Sequence, residues 1–199
     1  MSNSAITAIG IAAAIINLCG TVPYIRDIFR GKTKPERAMW WIYVVLFGVL
    51  FLAQRDAQAG WLLAITASYI LSGVLIAILS IPYGYGTFHR RDLISLGIAA
   101  LGLIAWRLTD SPLLAVIMVT VVDFAGFWLT LVKTWHAPHS ETLIAWQLSA
   151  VAAALSLLTI TNWAAAVIIY PIYAVAGTCF IVWLIMHRRR TVAVDAADF

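Results

Sequence analysis

Val121-Val122-Asp123-Phe124-Ala125-Gly126-Phe127-Trp128 is the stretch that decides how this chain folds. It lies inside an apolar run from Leu113 to Val132, about the length a helix needs to cross a bilayer. Asp123 falls near the middle of that run. A charged carboxylate there costs about 2.5–3.5 kcal/mol on insertion scales, so it is kept where it has a partner or a task. No other acid falls deep in an apolar run of this sequence. No lysine or arginine falls at that depth either, so a proton or a bound solute has to balance its charge.

The rest of the sequence has the same character. Of 199 residues, 63% are hydrophobic and 11% charged, against about 25% charged in a soluble domain. The mean hydropathy is +0.93. Long apolar runs without a two-residue alternation point to an all-α membrane protein and not to a barrel. Seven spans are expected: Ala5–Ile25, Met39–Ala53, Trp61–Ile81, Leu93–Trp106, Leu113–Val132, Leu143–Ile160 and Trp163–Met186. Met1-Ser2-Asn3-Ser4 lacks the basic flank of a signal peptide, so the first run is expected to stay in the protein. Trp40, Trp41, Trp61, Trp106, Trp135, Trp163 and Trp183 fall near span ends, as interfacial anchors do. Residues from Thr191 to Phe199 read as a mobile tail.

Charge sets the orientation. Arg26, Arg30, Lys32, Lys34, Arg37, Arg90, Arg91, Lys133 and Arg188 to Arg190 all fall on one side of the spans, and only Arg55 and Arg107 on the other. The positive-inside rule puts the N-terminus outside and the C-terminus in the cytoplasm, in a cytoplasmic membrane. The net charge of +4 is confined to short loops and is no nucleic-acid signature. Cys19 and Cys179 lie in apolar runs and read as small hydrophobes. His89, His136, His139 and His187 are scattered at span borders, so no metal site or cofactor is expected. The only lysines, Lys32, Lys34 and Lys133, sit in or beside loops, which excludes a retinal Schiff base in the last span. One deep acid without a deep base argues against an intramembrane enzyme.

The chain also repeats. A shift of about 103 residues carries the first three spans onto the last three. Pro23-Tyr24 lands on Gly126-Phe127, Arg30 on Lys133, and Pro35 on Pro138. Residues 5–81 and 113–186 then form two triplets running in the same direction, with 93–106 as a linker helix and 187–199 as a cytoplasmic tail. Binding sites in such parallel repeats lie between the halves at mid-membrane. Asn17, Tyr69, Ser72, Asp123, Tyr170 and Tyr173 fall at that depth. Pro23, Gly126 and Pro171 are candidate hinges.

This 3+1+3 plan resembles the PQ-loop superfamily, which includes SWEET sugar transporters and cystinosin-type exporters. Pro23-Tyr24 followed by Arg30-Gly31-Lys32-Thr33 looks like that family's Pro-Gln dipeptide and basic loop, with Tyr24 in the place of glutamine. Asp123-Phe124-Ala125-Gly126 looks like the Asp-Phe-x-Gly opening of the fifth helix in cystinosin-like members. The resemblance implies a seven-helix transporter and ties an acid at Asp123 to proton coupling. The expected function is transport of a small polar or zwitterionic solute. The alternative is a receptor or assembly factor that binds a ligand in the same cavity and moves nothing. The expected partners are the solute and the lipid bilayer. The alanine-rich faces around Ala152 to Ala154 and Ala164 to Ala166 are where a second copy could pair.

Overall fold

The structure, a computed structural model, describes residues 2–35, 37–84 and 111–195. Among the described residues there are six α-helices and no strand. They are α1 (Asn3–Phe29), α2 (Arg37–Asp56), α3 (Leu62–Tyr83), α4 (Pro112–His136), α5 (Leu143–Leu157) and α6 (Ala165–Asp195), with a short 3-10 turn at Pro138–Ser140. All except α5 are long and apolar enough to cross a membrane, which fits a multi-pass membrane protein. The expected span Leu93–Trp106 lies outside the described residues, so α4 to α6 correspond to the fifth to seventh spans.

Several boundaries differ from the sequence reading. The first span was expected to end at Ile25, but α1 runs through Pro23 and on to Phe29. A proline inside a helix frees the carbonyl four residues earlier, here that of Cys19, but need not stop the chain when neighbouring helices support it. The last helix likewise continues past Met186 to Asp195, where a tail was expected. Its extension is tied down. Arg188 Nε donates to the Trp135 carbonyl at 3.0 Å, and Arg189 reaches the carbonyls of Pro138 and Glu141 at 3.1 and 2.7 Å.

The six helices close a ring in the order α1, α3, α2, α4, α6, α5 and back to α1. Each neighbouring pair packs closely, and α2 with α6 and α3 with α5 touch more lightly across the ring. Gly20 permits the α1–α5 contact, since a Cβ there would lie 3.2 Å from Leu148 Cβ and 3.3 Å from the Ala145 carbonyl. Near the opposite end of α1, Trp61 covers Gly10 so closely that a Cβ would clash at 2.8 Å.

Loop contacts fix the directions. At one end, Arg37 at the start of α2 donates to the Ser80 and Ile81 carbonyls that finish α3. Thr142 before α5 donates to Asp27 at the end of α1. Arg188 joins α6 to the end of α4. At the other end, Asn162 Nδ2 donates to the Ala57 carbonyl at 3.2 Å, joining the α5–α6 and α2–α3 loops. Thus α1, α3, α4 and α6 finish at the first end, where Arg26, Arg30, Lys32, Lys34, Arg37, Lys133 and Arg188 to Arg190 gather. We call it the basic end. The opposite half is packed solid by Leu46, Val49, Leu50 and Ala53 of α2 against Ala115, Val116 and Val119 of α4. Ala59, Leu62, Ile160 and Val167 close its outer edge.

Candidate functional site

A cavity of about 760 Å³ lies inside the ring, within the size range of small-molecule sites. All six helices line it. Each contributes residues at helical spacing: Asn17, Gly20, Thr21 and Tyr24 from α1, Trp40, Tyr43 and Phe47 from α2, and Tyr69, Ser72 and Ile76 from α3. The second half of the chain adds Asp123, Phe127 and Thr130 from α4, Ala145, Trp146 and Ser149 from α5, and Tyr170, Tyr173, Ala174 and Gly177 from α6. The lining runs from Lys34, Lys133, His136 and Glu141 at the basic end to a floor of Phe47, Tyr69, Asp123 and Tyr170. Among the described residues it takes none from the loops at the opposite end, so over these residues it is a funnel open at the basic end.

The pattern on α4 explains why Asp123 points inward. Val116, Val119, Asp123 and Phe127 form a buried stripe at three- and four-residue steps, while Ile117, Val121, Phe124 and Trp128 are exposed on the other face. The outer face is what a helix presents to lipid, and the inner face carries the acid. Asp123 is 7% exposed. Its Oδ2 accepts the hydroxyl proton of Tyr173 on α6.

All six residues expected at the site line this cavity: Asn17, Tyr69, Ser72, Asp123, Tyr170 and Tyr173. Their polar groups divide into two sets. On the α1–α3 seam, Asn17 donates to Ser68 at 3.0 Å and Thr21 shares a 2.6 Å hydrogen bond with Ser72. These bonds pair the polar groups with one another and tie α1 to α3. On the α4–α6 seam stands the Asp123–Tyr173 pair. Of the expected hinges, Pro171 lies within an unbroken α6. Gly126 lies beside α2, where an added Cβ would meet the Tyr43 hydroxyl at 3.6 Å.

Trp40 was expected to be an interfacial anchor but lines the cavity instead. It belongs to a run of rings of which sequence reading had named only Tyr69, Tyr170 and Tyr173 as site residues. Tyr24 and Trp40 have centroids 5.5 Å apart, Trp40 and Tyr43 5.9 Å, Tyr43 and Phe47 5.5 Å, and Phe47 and Tyr69 5.2 Å. Phe47 also meets Tyr170 at 6.4 Å, and Tyr170 meets Tyr173 at 5.7 Å. This aromatic path leads from the mouth to Asp123. The available signal was the spacing Trp40, Tyr43, Phe47, which puts the three on one face of α2.

The mouth carries its own ion pair. Lys133 Nζ lies 2.9 Å from Glu141 Oε1, and Trp146 Nε1 donates to Glu141 Oε2 at 3.0 Å. Among the described residues, no cationic side chain lines the cavity below Lys133 and His136. No three His, Cys, Asp or Glu among the described residues come together as a metal site would require. A lone carboxylate among phenols can exchange a proton or hold a positive group. It has no nucleophile-and-base pair beside it.

No family model, curated protein or solved structure matches this chain.

Proposed function

We propose that the chain is a transporter of PQ-loop/SWEET-like architecture that moves a small polar or zwitterionic solute across a cytoplasmic membrane. The working parts are two triplets, α1–α3 and α4–α6, which rock about an axis along the membrane normal. With the linker span they make a seven-helix protein whose basic end is cytoplasmic and whose N-terminus is outside. Asp123 carries the proton or the charge of the solute. The role is binding and movement, without chemistry on the solute.

The observation that carries this reading is the funnel. Its walls are shared between the triplets, its floor lies midway along the helices at a buried acid, and its far side is closed by packing. That shape is what one half of an alternating-access cycle requires. The contacts have the symmetry such a cycle uses. Exchanging α1 with α4, α2 with α5 and α3 with α6 turns the set of packed pairs into itself. The shift of about 103 residues pairs Gly20 with Asp123, Tyr24 with Phe127, and Tyr43 with Trp146, and all six line the cavity. Pro23, Gly126 and Pro171 are where helices can bend as the triplets move.

A funnel open at the basic end also suits a receptor that never opens on its far side, and fold alone does not decide between them. Thiol accessibility does. In a Cys19→Ala, Cys179→Ala background, Ser72→Cys puts a single thiol on the cavity wall. An impermeant thiol reagent should modify it from the cytoplasmic side and, more slowly, from the outside. Modification from the cytoplasmic side alone supports the receptor, and modification from the outside alone reverses the orientation.

A further inference from the structure

The floor of the cavity is built of rings around one carboxylate. Tyr43, Phe47, Tyr69, Tyr170 and Tyr173 form a connected set with centroids 5.2–6.4 Å apart. Asp123 lies among them. A cation is attracted to a ring when it lies within about 6 Å of the centroid, so one seated on this floor falls within reach of several rings at once. The nearby amide and hydroxyl groups of Asn17, Ser68, Thr21 and Ser72 already bond to each other. Such a site gives a poor replacement for the water shell of a strongly hydrated ion. It suits a cation whose charge is spread over alkyl groups and is weakly hydrated.

We infer that the solute carries an alkylated ammonium group, held between Asp123 and the rings of Tyr43, Phe47, Tyr69 and Tyr170. The inference names the solute class for the cavity and rests on the transport reading for its movement. It also defines the exchange. The cation binds the Asp123 carboxylate as the acid releases its proton to water. When the cation leaves, the carboxylate takes one proton back, and the charge of the site is unchanged. Among the described residues, the titratable groups facing Asp123 are Tyr43 from α2, Tyr69 from α3, and Tyr170 and Tyr173 from α6. The cavity wall also carries Asn17, Thr21 and Tyr24 from α1, of which only Tyr24 titrates, and Trp146 and Ser149 from α5, which do not. The charged groups Lys34, Lys133, His136 and Glu141 stand at the mouth.

The test compares choline and tetramethylammonium with 3,3-dimethyl-1-butanol, which has the shape of choline without its charge. Thermal unfolding of the purified full-length protein in detergent reads binding. The two cations should raise the midpoint in a dose-dependent way, less strongly as the pH falls, and the neutral analogue should not. Phe47→Leu should weaken the choline response about tenfold, and Asp123→Asn should abolish it, while Trp128→Leu on the outer face should leave it unchanged. Equal binding of the neutral analogue, or no response to either cation, overturns the inference. So does an unchanged choline affinity in folded Phe47→Leu, which keeps the test open if Asp123→Asn fails to fold. Flux separates the two readings. If choline binds but does not cross proteoliposomes, the cation site stands and transport fails. If another solute crosses and choline does not bind, transport stands and the cation site fails.

Discussion

Asp123 and Tyr173 are the pair on which the site turns. The carboxylate is buried and the phenol of α6 donates to it, so each partner depends on the other. Removing the donor leaves a buried acceptor unpaired, which costs about 1–3 kcal/mol. Tyr173→Phe should therefore lower thermal stability by that order and leave the fold intact. Asp123→Asn keeps the shape and removes the titration. We expect the variant to insert and fold but to lose pH-dependent binding or uptake of its solute. Loss of folding in Asp123→Asn makes the residue a structural tie between helices, and an unaltered pH profile removes it from coupling. Asp123 was legible in the sequence because an acid in an apolar run carries a cost that needs a reason. Tyr43 and Phe47 were not. An aromatic residue in such a run looks the same whether it meets lipid, core or cavity, and only the neighbouring helices decide.

At the scale of the elements, the seam between α1 and α5 is a close one. Gly20 leaves room for Leu148 and the Ala145 carbonyl, and a Cβ there would make a neighbour give by a few tenths of an ångström. Gly20→Leu should destabilise by about 1–3 kcal/mol, the usual cost of overpacking. Gly48 of α2 has nothing within 4 Å of where a Cβ would stand. Gly48→Ala should be neutral or stabilise by up to ~1 kcal/mol through helix propensity. Unfolding curves of the two variants against the parent check both, and equal effects contradict the packing described for α1 and α5. Helix existence was plain from the apolar runs, but the ends were not. Pro23 reads locally as an end or a kink of the first helix, and Arg188 to Arg190 read as the start of a tail. Both readings give way to tertiary contacts: packing carries α1 past its proline, and the α4–α5 loop carbonyls hold the last turns of α6.

At the scale of the whole molecule, the ring of six described helices places the mouth of the cavity at the basic end and dense packing at the other. The loop charges foretold which helix ends gather. They could not foretell the ring order, which depends on where small residues such as Gly20 let two helices approach. The central claim is that the closed end opens when the open end closes. Spin labels at Asp56 and Thr161 report the far end, and labels at Lys34 and His139 the basic end; all four residues are exposed. Pulsed electron resonance on the protein in nanodiscs, at acidic and at alkaline pH, measures both distances. The account predicts two distances at each end, with the long one at the far end rising in population as the long one at the basic end falls. A single, fixed distance at the far end under both conditions contradicts it.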